Sequence, residues 1–225
     1  MKTAVRLCLL FSAILLSTGA ARCEEPLQTI LDGLKEKYGH LSGLKVDYTR
    51  EIITRSMSLL GSQAEGDRAE GHIFFKPPHF LRLEQKRPAE ETVLTDGAVL
   101  WWYIPEKNEV HKYDAGKFGK ELGLLSDIFR GLVRVGERFD VTRLPEKEPD
   151  SVRLQLVPVP AWEEIDRIVI ALTPGHDIRA VEIHNLLGTV TRFKLGRFHE
   201  MDAFDSGFFE FKAPEGARVV EQGEM

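Results

Sequence analysis

The chain has 225 residues, of which 43% are hydrophobic and 29% charged, a balance that excludes fibrous and wholly disordered proteins. Thirty basic residues against 35 acidic ones give a net charge of −5, so the basic surplus of a nucleic-acid binder is missing. Two cysteines are too few for a disulfide scaffold or a cysteine-rich zinc site.

Lys2 and Arg6 precede ten mostly apolar, uncharged residues at 7–16, and Ser17-Thr18-Gly19-Ala20-Ala21 supply small residues after them. This is the pattern of a secretory signal peptide, and the apolar run is shorter than the ~20 residues of a membrane-crossing helix. Residues 1–21 are therefore expected to be a signal removed between positions 21 and 23, and residues 24–225 one exported domain. Arg22 stands directly before Cys23, where lipid attachment wants a small residue, so an unlipidated mature chain is expected.

Glu24, Glu25 and Pro26 suit a helix start. Leu27, Leu31, Leu34 and Tyr38 follow as one apolar stripe, which Gly39 ends. From Leu44 the period changes to two, with Leu44, Val46 and Tyr48 alternating against polar residues as in a half-buried strand. Residues 56–70 are rich in glycine, serine and charge and read as a loop or the end of a long hairpin. Strands are expected at 72–76, 80–85, 92–95, 99–104 and 109–113, with Asp96-Gly97 as a hairpin turn. Phe118, Leu122, Leu125, Phe129 and Leu132 then predict an amphipathic helix over 117–132, weakened internally by Gly119 and Gly123. Further strands are expected at 138–144, 152–158, 167–173, 180–185, 189–198 and 208–212. The sum is about ten antiparallel strands and two helices in one domain.

No catalytic centre is visible. The seven histidines form neither His-x-His nor His-Glu-x-x-His spacing, so no metal is expected. Glu163, Glu164 and Asp166 sit in a polar connection near Pro158 and Pro160 and read as a solvated loop. Neither a nucleophile elbow nor a phosphate-cradling glycine loop occurs. The aromatic crowd of Phe74, Phe75, Phe80, Trp101, Trp102 and Tyr103 allows two readings. It is the filled core of a barrel, or the wall of an apolar cavity that holds an exchangeable guest under a helical lid. Export, amphipathic helices and a curved sheet suit a lipid carrier.

Residues 71–105, from Gly71 through Lys76-Pro77-Pro78, Asp96-Gly97 and Leu100-Trp101-Trp102-Tyr103-Ile104-Pro105, resemble the LolA family, periplasmic carriers of outer-membrane lipoproteins. Leu44 to Thr49, the late hairpin through Gly188-Thr189-Val190-Thr191, and Phe209-Glu210-Phe211-Lys212-Ala213-Pro214-Glu215-Gly216 resemble the same family in the same order. The resemblance implies a mainly β fold, an open, incomplete antiparallel β-barrel covered by amphipathic helices. It implies a non-enzymatic periplasmic monomer without cofactor or nucleic-acid partner. Its partners would be acylated lipoproteins, an inner-membrane ABC releasing complex and an outer-membrane receptor. The expected acyl-chain cavity comprises Leu81, Leu83, Trp101, Tyr103 and Tyr48, and the expected lid Phe118, Leu122, Leu125 and Phe129. The family's latch arginine falls on Pro77, which cannot donate that hydrogen bond; alternation turns Arg82 away from Leu81 and Leu83. The competing readings are a fold-related envelope lipid-binding or stress-sensing protein and an exported hydrolase.

Overall fold

The computed structural model describes residues 25–60, 67–118, 120–145 and 150–221. The expected signal segment, with Cys23, lies outside them. Leu27–Tyr38 forms helix α1, whose buried line is Ile30, Leu34 and Tyr38 at fours, flanked by half-buried Leu27 and Leu31. Strand β1 (Leu44–Ile53) follows, then helix α2 (Arg55–Leu60) and strands β2 (Asp67–Lys76), β3 (Phe80–Arg87), β4 (Glu91–Thr95), β5 (Val99–Ile104) and β6 (Glu109–Asp114). Of the two readings for 56–70, the end of a long hairpin is the one the paired β1 and β2 form, and part of the segment is regular. A turn of helix opens it, and β2 begins five residues before His72 because its polar half pairs fully with β1, Asp67 opposite Ile52. The Asp96-Gly97 hairpin forms as expected. Gly97 has φ +92°, and Asp96 Oδ1 accepts from the Ala98 and Val99 amides at 2.9 Å each.

Helical residues follow at α3 (Ala115–Phe118) and α4 (Lys120–Phe129), on either side of residue 119, which lies outside the described residues, and at α5 (Val135–Arg138). The expectation of one helix over 117–132 is corrected at its C-terminal end. The helix ends at Phe129 because Gly131 (φ +72°) and Leu132 (φ +54°) turn left-handed. Their amides bond back to the carbonyls of Ile128 (2.9 Å) and Asp127 (3.0 Å), a glycine-based helix stop. Leu132 thus lies beyond the helix although it continues the apolar spacing. Strands β7 (Phe139–Leu144), β8 (Val152–Pro158), β9 (Ile165–Leu172), β10 (Ile178–Asn185), β11 (Val190–Glu200) and β12 (Arg218–Glu221) complete the chain.

Among the described residues these twelve strands form one sheet in the order β12-β6-β5-β4-β3-β2-β1-β11-β10-β9-β8-β7. The terminal strands β12 and β7 each have one neighbour, so the barrel is open. All pairs are antiparallel except β12 with β6. The expected closing strand at 208–212 is not formed. Its amides close local turns, Phe208 to the Asp205 carbonyl (3.1 Å) and Glu210 to that of Gly207 (2.8 Å). The Phe-x-Phe alternation packs rings on the sheet instead of feeding a ladder. The strand lies further on, where Val219 and Val220 pair with Val110 and His111. Phe139 of β7 and Leu81 of β3, distant in the strand order, share one apolar cluster with α1 and α4. The sheet therefore curls round the two helices, which occupy its concave face.

Candidate functional site

The register of β1 to β6 sorts side chains between the two faces. Opposite one another on the concave side run Leu44, Phe75, Leu81, Thr95 and Leu100, and beside them Val46, Ile73, Leu83, Val93 and Trp102. Leu81 is 0% exposed, Leu83 5% and Tyr48 3%, so these three residues stand together on the concave face. Trp101 and Tyr103 do not join them. Trp101 is opposite Leu94, which is opposite Arg82, and this places Trp101 and Tyr103 on the convex face. Trp102 is the member of that run on the concave side. Val99–Ile104 has no polar residue to mark its parity, so only pairing with β4 decides which tryptophan faces inward.

The convex aromatics have their own cover. After β11 the chain crosses the outside of the sheet as a strap. Phe211 stacks on Trp101 (centroids 5.2 Å, 18°) and lies 6.3 Å from Tyr103, while Phe208 packs on Phe74 (5.0 Å) and Phe209 on Phe80 (5.8 Å). Arg82 lies over the Phe208 ring at 4.8 Å, donates to the Phe208 carbonyl from Nη1 (3.0 Å) and pairs with Glu84 (2.8 Å). It clasps the strap and faces away from the helices, as its alternation with Leu81 and Leu83 requires.

Two helices lie over the concave face, and they are held differently. α1 is hooked by polar contacts to the turn between β9 and β10. Lys37 pairs with Asp177 (2.6 Å) and donates to the Gly175 carbonyl (2.7 Å), and the Ile178 amide donates to Tyr38 Oη (3.2 Å). Gly33 lies so close to the His176 ring that a Cβ there would force the ring to move. α4 presents Leu124, Leu125, Ile128 and Phe129, all at most 1% exposed, with Leu122 half-buried. Phe118 belongs to α3, and its side chain lies outside the described residues. Phe129 is the keystone: its ring is 5.9 Å from Phe75 of β2 and 5.8 Å from Phe198 of β11, which in turn is 5.2 Å from Tyr38 of α1. Among the described side chains of α4, the ion pair is Asp127 with Arg138 (2.6 Å), at the foot of β7. Burial pushes the Asp127 carboxyl above its usual range, against the pull of Arg138. A groove of about 260 Å³, lined by Pro78, His79, Gly97, Ser126 and Arg130 among others, opens between α4 and the rim of the sheet. Leu124 and Ile128, outside the expected stripe, are i and i+4 and each directly precedes a stripe residue, Leu125 and Phe129.

Along the strands the concave face turns polar. Beyond Val46 and Leu83 come Tyr48, Arg50, Gln85 and Glu91. Arg50 Nη2 reaches Gln85 Oε1 at 3.4 Å, Gln85 Nε2 donates to the Ala89 carbonyl (3.0 Å), and Trp102 Nε1 donates to Glu91 Oε2 (2.9 Å). Tyr48 Oη and Arg50 Nε are shielded from solvent without a partner. Each such group costs about 1–3 kcal/mol. Alternation with Tyr48 puts Arg50 on this face, but only the successive pairing of β1 with β2, β2 with β3 and β3 with β4 brings Gln85 and Glu91 into the same region.

A family model described as outer membrane lipoprotein carrier protein LolA matches residues 58–212. An outer-membrane lipoprotein carrier protein of Alkalilimnicola ehrlichii is 25% identical over 190 residues, covering 84% of this chain and 83% of the relative. One of Legionella pneumophila (strain Paris) is 27% identical over 198 residues, covering 87% of this chain and 91% of the relative. The fold is similar to that of an uncharacterized conserved protein from Thermus thermophilus, with TM-score 0.52 at 12% identity, covering 87% of this chain and 98% of that one.

Proposed function

The chain belongs to the LolA family of outer membrane lipoprotein carrier proteins, and from that premise we propose that it carries lipoproteins across the periplasm with their acyl chains on its concave face. The observation that carries this reading is the asymmetry of the two helices. A continuous apolar face is covered by α1, which is hooked to the sheet by polar contacts, and by α4, which rests on it mainly through Leu124, Leu125, Ile128 and Phe129. Each buried methylene is worth about 0.8 kcal/mol, so acyl chains need such shelter in water. Chains entering beneath α4 replace its contacts with Phe75 and Leu81 by contacts of the same kind, so loading and release are nearly balanced.

In this reading Leu81, Leu83 and Tyr48 line the acyl site and α4 is the lid. The protein works by binding, without covalent chemistry. Lys2, Arg6, the apolar run and the small residues after it direct export, and the chain acts as a monomer in the periplasm. Family membership supports the wider route: lipoproteins taken from an inner-membrane ABC complex and passed to an outer-membrane receptor. Native mass spectrometry of the protein released from its own envelope is the test. Co-isolated triacylated lipoprotein is expected. A protein recovered empty from an envelope in which lipoprotein sorting proceeds, with turnover of ester substrates, would overturn the carrier reading in favour of a hydrolase.

A further inference from the structure

The concave face is amphipathic along its strands. The row through Leu44, Phe75, Leu81 and Thr95 is almost wholly apolar, and so is the next, through Val46, Ile73, Leu83 and Val93. The third row holds Tyr48, Gly71, Gln85 and Glu91, with Arg50 one step further, opposite Ala69. Four residues of strand, about 13 Å, separate the apolar end from Tyr48. Gly71 stands opposite Tyr48, and a Cβ there would strike the Glu84 carbonyl, so the row carries no side chain between Tyr48 and Gln85.

The donors in the polar row are underused. Arg50 Nε has no acceptor, and among the described residues no carboxylate lies within ion-pair distance of its guanidinium. Tyr48, 3% exposed, has no partner for its hydroxyl. Glu91 already accepts from Trp102, and Gln85 Oε1 takes only the distant Nη2 of Arg50. A guanidinium is a cation at every physiological pH. Burial pushes the Tyr48 phenol up to about 12, so it stays an O–H donor. Two shielded donors at the polar end of an apolar trough fit a ligand with an oxygen acceptor at the head of a hydrocarbon tail.

We propose that Arg50 and Tyr48 receive the carbonyl oxygens at the head of a long acyl chain, whose tail lies on Ile73, Phe75, Leu81 and Leu83. The inference rests on the carrier reading and adds the polar half of the ligand. The same chemistry occurs in a free fatty acid and in the ester and amide linkages of an acylated cysteine.

The test compares three probes on the full mature chain: diphenylhexatriene, which has no acceptor, palmitate, and a tripalmitoylated cysteinyl peptide. Arg50→Met and Tyr48→Phe are each expected to weaken acyl-ligand binding relative to diphenylhexatriene by about tenfold. A loss confined to the peptide assigns the site to lipoprotein ester and amide carbonyls; a loss confined to palmitate assigns it to a fatty-acid carboxylate. Unchanged ratios for both variants would overturn the head-group site while leaving the apolar trough intact. Failure of the parent protein to bind any of the three probes would instead overturn the carrier reading. Should Arg50→Met fail to fold, Tyr48→Phe, which removes one oxygen, decides alone.

Discussion

Leu81 has no exposed surface and sits in one cluster with Phe75 and the apolar side of α4. Leu81→Ala is expected to lower the stability of the empty protein by about 2–4 kcal/mol, measured by denaturant unfolding, because the packed neighbours cannot collapse fully. A loss under about 1 kcal/mol would mean that the site beneath α4 is already loose. Gly131 is constrained twice. Its φ of +72° disfavours a side chain, and a Cβ there would strike the Leu34 carbonyl of α1. Gly131→Ala is expected to cost about 1–3 kcal/mol and to separate the end of α4 from α1, read as faster hydrogen exchange in both helices. On the convex face, the His184 hydrogen bond, opposed by burial and reinforced by Arg192, holds the Glu182 carboxyl down to about 2 against an ordinary 4.5. A depressed carboxyl stabilises above its unfolded pKa and loses that contribution as pH falls through its folded one. The loss should therefore run between pH 4.5 and about 2 and amount to roughly 1–3 kcal/mol. Glu182→Gln is expected to flatten the unfolding free energy over that window; an unchanged acid limb would locate the sensitivity elsewhere.

Among the elements, α1 and α4 share one concave face with unequal moorings. Lys37, Tyr38 and Gly33 bind α1 to the turn between β9 and β10, whereas α4 depends on its apolar side and on Asp127 with Arg138. Local opening free energy follows such contacts. Amides of residues 120–129 are expected to exchange faster than those of 27–38 in the empty protein and to gain more protection on loading with an acyl ligand. Equal protection in both helices, unaltered by ligand, would make α4 a fixed part of the core. The end of α4 at Phe129 follows from Gly131, which supplies the left-handed residue of the helix stop.

At the scale of the whole molecule, one sheet separates two apolar layers. The inner layer lies under the helices; the outer one, with Phe74, Phe80, Trp101 and Tyr103, lies under the strap that carries Phe204, Phe208, Phe209 and Phe211. β12 then fastens the strap beside β6, with Lys112 and Glu221 paired at 2.8 Å. A chain ending at Glu200 would uncover the outer layer. It is expected to melt lower and to bind an apolar dye on the convex face even when an acyl ligand fills the concave one. Normal melting with no added dye binding would show that the strap is dispensable for the fold.

Local pattern was enough for much of this. The period of two marked β1 and β3 and set Leu81 beside Leu83, and Tyr48 with Leu44 and Val46, on one side of each strand, because alternation is a property of each strand alone; pairing through β2 then joined the two sides into one face. Asp96-Gly97 and Gly188 marked turns because their backbone conformations are chemical preferences of those residues. The ordered motifs along residues 71–105 and 209–216 pointed to the family. Other features are relations between segments. Val99–Ile104 carries no polar mark, so the inward place of Trp102 and the outward places of Trp101 and Tyr103 came only from pairing with β4. The phenylalanines at 208–211 alternate like a strand, yet a neighbouring convex surface captured their rings before any ladder formed. Nothing in the local pattern of β1 distinguishes Arg50 from the other charged residues of the strand. Its buried, unpartnered Nε exists because the curl of the sheet and the neighbouring strands enclose it, and enclosure is decided by tertiary packing, not by the sequence of β1.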